Sequence, residues 1–119
     1  MGPNLRRKVT DEKINRLVQV VKQLRLQRRE MSAQELATLF YIGSHHDCHK
    51  TALEEDLNFT TASSSRNTDK LSKDHRLGKA GLDLIVKETE EVSPFRQRLR
   101  LTKKGEDLMN EIKSILYGA

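Results

Sequence analysis

Apolar residues recur at helical spacing near both ends of the chain. The first stripe has the spacing i, i+3, i+4, i+7, i+10 and consists of Ile14, Leu17, Val18, Val21 and Leu24. It predicts an amphipathic helix near residues 11–29, since Thr10 can cap it and acids follow in its first turn. The second stripe predicts a helix over residues 102–116 and consists of Leu108, Met109, Ile112, Ile115 and Leu116.

The middle of the chain carries the start signals of three shorter helices. Residues 32–35 (Ser-Ala-Gln-Glu) form a capping box, and the apolar residues after them predict a helix that stops near Gly43. Residues 51–57 predict a short acidic helix. Thr60 can cap a polar helix over residues 61–73. Rotation by about 100° per residue gives that helix one weakly apolar docking stripe of Ser64, Asn67, Thr68 and Leu71.

Residues 82–101 have the period of two that is typical of strands. Residues 82–87 are rich in strand formers, and a turn over residues 90–94 joins them to residues 96–101. Alternation along the return strand places three arginines on one face and two leucines on the other, namely Arg96, Arg98 and Arg100 against Leu99 and Leu101. The pattern therefore predicts a two-stranded ribbon with one basic face.

A basic ribbon directly after a polar helix is the layout of a winged helix-turn-helix. Three motifs lie in the order and spacing of one such family. They are Ser65-Arg66 followed by Leu71, Gly-Lys-Ala-Gly-Leu at residues 78–82, and Leu-Thr-Lys-Lys-Gly at residues 101–105. From about Ser32 to its C-terminus, the chain resembles the MarR family of bacterial and phage regulators.

The resemblance implies a mainly α-helical winged helix-turn-helix with a small β-hairpin and helical dimerisation elements at both termini. Residues 1–119 would form one domain, with a DNA-binding lobe over residues 32–101. The terminal helices, residues 11–29 and 102–116, would pair across a two-fold axis in a homodimer. The residues expected at that interface are Ile14, Leu17, Val21, Leu108, Ile112 and Ile115.

The face of helix 61–73 opposite its docking stripe carries short and cationic side chains, which suit close approach to base edges. The residues expected to face the major groove are Ala62, Ser65, Arg66 and Lys70. Those expected to contact phosphates or the minor groove are Lys73, Arg76, Arg96 and Arg98. We therefore expect a sequence-specific regulator of transcription, acting as a repressor on double-stranded DNA. The alternative is a winged-helix module that binds polymerase or another regulator.

The charge distribution suits a polyanionic partner. The net charge is +5, with +6 over residues 1–30, −4 over residues 31–60 and +3 over residues 61–87. No apolar run approaches the roughly 20 residues of a membrane span, and no signal-peptide pattern opens the chain. We expect a cytoplasmic protein, bacterial or phage-encoded, with no membrane partner.

Residues 45–49 (His-His-Asp-Cys-His) are the one cluster with metal-ligand chemistry. Zinc needs four ligands, and five adjacent residues can direct only two or three to one point. A polar loop is therefore the favoured interpretation, and we expect neither metal nor cofactor. Metal binding, pH sensing by the histidines and a redox role for Cys48 are the alternatives. No set of catalytic residues has recognisable spacing, so we do not expect an enzyme. The sequence does not indicate whether a small-molecule effector binds.

Overall fold

The computed structural model describes residues 7–73, 79–92 and 96–118. In chain order its elements are α1 (Glu12–Arg25), α2 (Ala33–Ser44), β1 (Cys48–His49), α3 (Lys50–Leu57), α4 (Thr61–Leu71), β2 (Ile85–Thr89), β3 (Gln97–Leu101) and α5 (Lys103–Tyr117). The predicted combination of mainly α-helical structure with a small hairpin is confirmed. Within these ranges, no helix has the length and apolar character needed to cross a membrane.

Side-chain caps set where the helices begin. The oxygens of Asp11, Ser32, Thr60 and Thr102 each accept a hydrogen bond from an amide in the first turn of α1, α2, α4 and α5 respectively. Such amides have no partner inside the helix, so each cap stabilises the start of its helix. The cap of α1 is Asp11, so the expectation that Thr10 caps this helix is wrong. The helix ends differ more from the predictions than the starts do. Helix α1 ends at Arg25 rather than at residue 29. After it, the guanidinium groups of Arg25 and Arg28 donate to the carbonyls of residues 29 and 30.

The sheet is antiparallel, with β3 between β1 and β2. The hairpin of β2 and β3 was predicted, whereas β1 lies in the segment interpreted as a polar loop. Two residues are too short to show a period, and only their pairing with Leu99 and Arg98 makes them a strand. β2 begins at Ile85 rather than residue 82, because the amides of Leu82 and Leu84 bond to the end of α4.

The hydrophobic core lies between the helices and the inner face of the sheet. Every helix contributes to it, and so does the central strand; its fully buried members include Leu24, Leu39, Ile42, Leu53, Leu71, Ile85 and Leu99. Leu108 and Ile112 of α5 join the same cluster. The terminal helices α1 and α5 therefore share one hydrophobic core with residues 32–101.

Gly105 lies in the first turn of α5, where a glycine costs roughly 1 kcal/mol relative to alanine. The structure supplies the reason. A Cβ at this position would lie 2.0 Å from the carbonyl oxygen of Leu84, just before β2. The helix thus starts in direct contact with the backbone that leads into the ribbon.

We expect Gly105→Ala to destabilise the fold by about 2–3 kcal/mol, because the added carbon meets backbone that cannot rotate away. Urea unfolding measures the change. Gly43→Ala is the matched control, since its Cβ meets only the flexible Met109 side chain, 2.8 Å away at the sulfur. That variant should stay within about 1 kcal/mol of the unmodified protein. Equal stabilities for the two variants would contradict the close contact at Gly105.

Candidate nucleic-acid interface

Helix α4 has the two faces that its sequence predicts. Its docking stripe is buried and consists of Ser64, Asn67, Thr68 and Leu71. Ala62 and Arg66 are exposed on the opposite side, and Ser65 and Lys70 are half-buried at the edges. The exposed face thus presents one small side chain and one guanidinium where a duplex could approach.

The docking stripe is polar, and polar partners hold it. The hydroxyl of Ser64 donates to the Glu54 carboxylate of α3, which also accepts from the ammonium of Lys50 at 2.6 Å. Thr68 donates to the Ser64 carbonyl within α4 at 2.8 Å. Because these buried groups all have partners, the helix is fixed in orientation as well as in position.

Glu54 is the charged member of this network. Burial alone would raise the pKa of its carboxyl group, but the hydrogen bonds from Lys50 and Ser64 outweigh that effect, so the pKa lies below its usual value. The carboxylate is therefore ionised near neutral pH and remains an acceptor for both neighbours. Neither Glu54 nor Lys50 was identified from the sequence. The contact of Glu54 with Ser64 on α4 depends on the fold, and Lys50 joins it through an i, i+4 pair within α3.

The C-terminal end of α4 is joined to the ribbon. The Leu84 amide donates to the carbonyl of Leu71 at 2.8 Å, and Ser72 bridges to Ile85. In addition, the ammonium of Lys87 on β2 lies 2.6 Å from the carboxylate of Asp69 on α4, with both side chains largely buried. Backbone and side-chain bonds together make α4 and the ribbon one rigid unit.

The strand register determines which side chains of the ribbon project from the sheet face that meets α4. Lys87 pairs with Leu99, so both side chains project from the sheet face that meets α4 and the core. Arg98 and Arg100 alternate with Leu99 and project from the other face. The strand β3 therefore adjoins α4 through its leucine face, and Arg98, which is expected to contact phosphates or the minor groove, projects from the opposite face.

The arginines on this outer face already have carboxylate partners. Arg98 lies 2.8 Å from Asp47 and 3.9 Å from Glu90, and Arg100 lies 2.6 Å from Glu88. All of these side chains are at least partly exposed. Exposed pairs of this kind contribute little stability, but they neutralise charge that the sequence alone counts as free.

Other cations remain unpaired. Arg66, Lys73 and Arg96 are exposed and make no ion pair with any residue that the structure describes. Lys70 lies 3.8 Å from the buried carboxylate of Glu35, which also pairs with Arg28 and so holds Lys70 only at long range. Arg76 lies outside the described residues. Free cationic side chains of the predicted interface thus lie on α4 (Arg66), just after α4 (Lys73) and just before β3 (Arg96).

The histidine and cysteine segment is drawn into these same contacts. Asp47 pairs with Arg98, and the Nε2 atom of His49 lies 2.6 Å from Glu90. Cys48 is buried, and burial, followed by the charge of Asp47, raises the pKa of its thiol. A protonated, buried thiol is poorly reactive. Across the described ranges, no three His, Cys, Asp or Glu residues are placed to hold a metal ion.

Comparison with known proteins gives likeness in structure and none in sequence. No family profile matches the chain, and no curated protein matches it. The crystal structure of MarR superposes with a TM-score of 0.59 at 17% identity, over 86% of this chain and 73% of that one. RV1404 from Mycobacterium tuberculosis superposes with a TM-score of 0.63 at 17% identity, over 93% and 76%. The adhesin competence repressor AdcR from Streptococcus pyogenes gives 0.54 at 17%, over 89% and 72%.

The chain has the winged-helix fold of MarR. In this MarR-type fold α3 and α4 form the helix-turn-helix, and the hairpin of β2 and β3 is the wing. The likeness that the sequence motifs indicated is thus confirmed at the level of the fold.

The terminal helices of this MarR-type fold pack against each other within the chain. The guanidinium of Arg16 donates to the Leu116 carbonyl at 3.0 Å, and the Gln23 amide donates to Glu111 at 2.6 Å. Leu108 and Ile112 are each only 3% exposed, so they lie in the chain's own core and leave almost no surface for a partner. Their expected direct contact with a second subunit is corrected accordingly.

The remaining residues expected at the dimer interface are accessible. Ile14, Leu17 and Val21 of α1 are 57%, 51% and 46% exposed, and Ile115 of α5 is partly buried. Val18, which belongs to the same predicted stripe, is 50% exposed. The MarR-type fold thus leaves one continuous apolar side of α1 uncovered.

Proposed function

We propose that this protein binds double-stranded DNA in a sequence-specific manner as a homodimer and regulates transcription. One observation carries the proposal: α4, with Arg66 free on its exposed face, is joined rigidly to the wing through Lys87 and Asp69. The helix ends at Leu71 rather than at residue 73, so the exposed Lys73 lies just beyond it. Folding already holds α4 and the ribbon in a fixed relative position. Binding one duplex with both therefore costs no further free energy for ordering them.

The proposed contacts follow from exposure and free charge. Ala62, Ser65 and Arg66 would read bases, and Lys73 and Arg96 would bind phosphates. Lys70 would join them once it leaves its distant partner Glu35. Arg76 stays in the proposal on its position in the sequence alone.

Arg98 has a smaller proposed role than the sequence suggested. It projects from the sheet face away from α4 and can contact a phosphate only by exchanging its ion pair with Asp47. Arg96, which alternation places on the same face, has no ion pair with a described residue to exchange. Phosphate contact by Arg98 is therefore proposed only for DNA that curves around the wing.

A second copy of the chain is the proposed partner of α1. Four apolar side chains on one helix, each about half exposed, form a patch of the kind that mark protein interfaces. A groove of about 690 Å³ runs beside the patch between α1, α2 and α5, lined by Leu17, Phe40 and Tyr117 among others. A two-fold dimer formed through α1 and Ile115 is expected to bind an inverted-repeat site, with half-sites about one turn of DNA apart as is general for such dimers.

Repression is the proposed direction of regulation, in the cytoplasm of a bacterial cell. AdcR, one of the structural neighbours, is by name a repressor. A dimer that covers a major-groove site can exclude other proteins from it by occupancy alone, with no further domain. Selection of bound fragments from genomic DNA, followed by a mobility-shift titration against random duplex, tests the whole proposal.

We expect Arg66→Ala to reduce the preference for the selected site over random DNA by about 10-fold or more, because one bidentate base contact contributes roughly 1–3 kcal/mol of discrimination. Mobility-shift titration on both duplexes gives the ratio. Lys73→Ala is the matched control, since loss of a phosphate contact should weaken binding to both duplexes alike. An equal loss on both duplexes for Arg66→Ala would reassign Arg66 to the phosphates.

One observation favours the alternative of a protein-interaction module. The outer face of the wing carries alternating charges in preformed pairs, Arg98 with Asp47 and Arg100 with Glu88, which resembles the polar rim of a protein interface more than a phosphate track. If the protein still binds its partner after both Arg66→Ala and Arg96→Ala, that result would support the protein-interaction module and contradict DNA binding.

A further inference from the structure

Gln34 lies outside the helix-turn-helix, in the first turn of α2, yet it contacts α4. Its carboxamide oxygen accepts hydrogen bonds from the Asn67 amide at 3.2 Å and from the Ser63 hydroxyl at 3.5 Å. The side chain of Gln34 is exposed. Its position is therefore at the rim of the exposed face of α4, held there by two donors.

These bonds leave the other half of the carboxamide unused. A glutamine side chain has an acceptor oxygen and an NH₂ group with two donors. With the oxygen turned toward α4, the NH₂ group points away from Asn67 and Ser63, and none of the described residues accepts from it. Ser63 in turn accepts from the guanidinium of Arg66 at 3.4 Å, so Gln34, Ser63 and Arg66 form one chain of contacts.

We propose that Gln34 is a DNA-contacting residue whose NH₂ group donates to a backbone phosphate at the edge of the groove that α4 enters. This inference rests on the proposed function. Glutamine is a common phosphate donor, and phosphate contacts from outside the reading helix fix its register on the duplex. A phosphate, rather than a base, is the acceptor because Gln34 is carried by α2 and lies beside α4 rather than on its exposed face.

The Gln34→Glu variant tests the donor without removing the dock. A glutamate keeps an oxygen for Asn67 and Ser63 but replaces the NH₂ group with a second acceptor, which repels a phosphate. We expect its affinity for both selected and random duplex to fall by at least about 10-fold, as for the loss of a hydrogen bond to a charged group. Its melting temperature should stay within about 2 °C of the unmodified protein.

Asn110→Asp on α5 is the matched control, because it makes the same amide-to-carboxylate change at an exposed position outside α1, α2 and α4. Its affinity should change by less than about 3-fold. Gln34→Ala adds a second readout: a neutral donor releases no counterion, so the affinity should fall while the slope of log affinity against log salt stays constant. Lys73→Ala should reduce that slope by about 1 for each site lost.

The outcomes separate the inference from the function on which it rests. Equal affinities for Gln34→Glu and Asn110→Asp, with the unmodified protein still binding DNA, would overturn the role of Gln34 alone. An affinity loss accompanied by a large drop in melting temperature would make Gln34 a docking residue and also overturn it. Failure of the unmodified protein to bind any duplex at 50 mM salt would overturn the proposed function itself.

Discussion

The affinity of this protein for DNA is expected to fall about 10³-fold when the salt concentration rises from 50 to 200 mM. Arg66, Lys73 and Arg96 are exposed and unpaired among the described residues, and a dimer presents each of them twice. Neutralising about six phosphates gives a slope of log affinity against log salt of roughly −5. The paired arginines Arg98 and Arg100 are left out of this sum, because their charge is already balanced inside the wing.

Binding titrations at four or five salt concentrations measure the slope. Arg96→Ala removes two phosphate contacts per dimer and should bring the slope about two units closer to zero. Lys113→Ala is the control, since this exposed lysine on α5 is remote from α4 in the sequence and makes no described ion pair. A binding constant that ignores salt, or an equal effect of both substitutions, would place the basic surface of the interaction elsewhere.

Leu17→Glu is expected to convert the proposed dimer to monomers. Leu17 is 51% exposed in the middle of the apolar side of α1, so a glutamate there is harmless to the single chain. In a two-fold interface it would bring two unpaired carboxylates out of water and near each other, at several kcal/mol. We expect the dissociation constant of the dimer to rise at least about 100-fold, a change that sedimentation equilibrium can measure.

The controls for this variant come from the same structure. Val92 is 97% exposed near the turn of the wing, so Val92→Glu should leave the dimer intact. Ile112→Glu would not be informative, because Ile112 is buried in the core and its substitution should unfold the chain. A folded Leu17→Glu protein that still sediments as a dimer would move the interface away from α1.

Loss of the dimer should also reduce DNA affinity. Each subunit would bind its half-site independently, without the high effective concentration that the other half supplies. We expect the monomeric variant to bind an inverted repeat at least about 100-fold more weakly, with little change on a single half-site. This comparison links the oligomeric state to the site that the two-fold symmetry predicts.

Sequence reasoning identified the free cations Arg66, Lys73 and Arg96 but could not separate them from the paired ones. Charge pattern counts each arginine equally, whereas Arg98 is paired by Asp47 from a segment 51 positions away in the chain. Gln34 was missed for the same kind of reason, since only the packing of α2 on α4 brings it to Ser63 and Asn67. Its only signal in the sequence was its place within the capping-box motif of residues 32–35.

Local structure follows from the order of the residues alone: the capped starts of four helices, the buried stripe of α4 and the alternation of the hairpin. These depend on side chains within a few residues of each other, so their periodicity is visible in the chain. Tertiary structure alone decided that β1 is a strand, that Leu108 and Ile112 are core, and that Arg98 faces away from α4. Pairing register and the packing of distant elements set these outcomes, and neither leaves a period in the sequence.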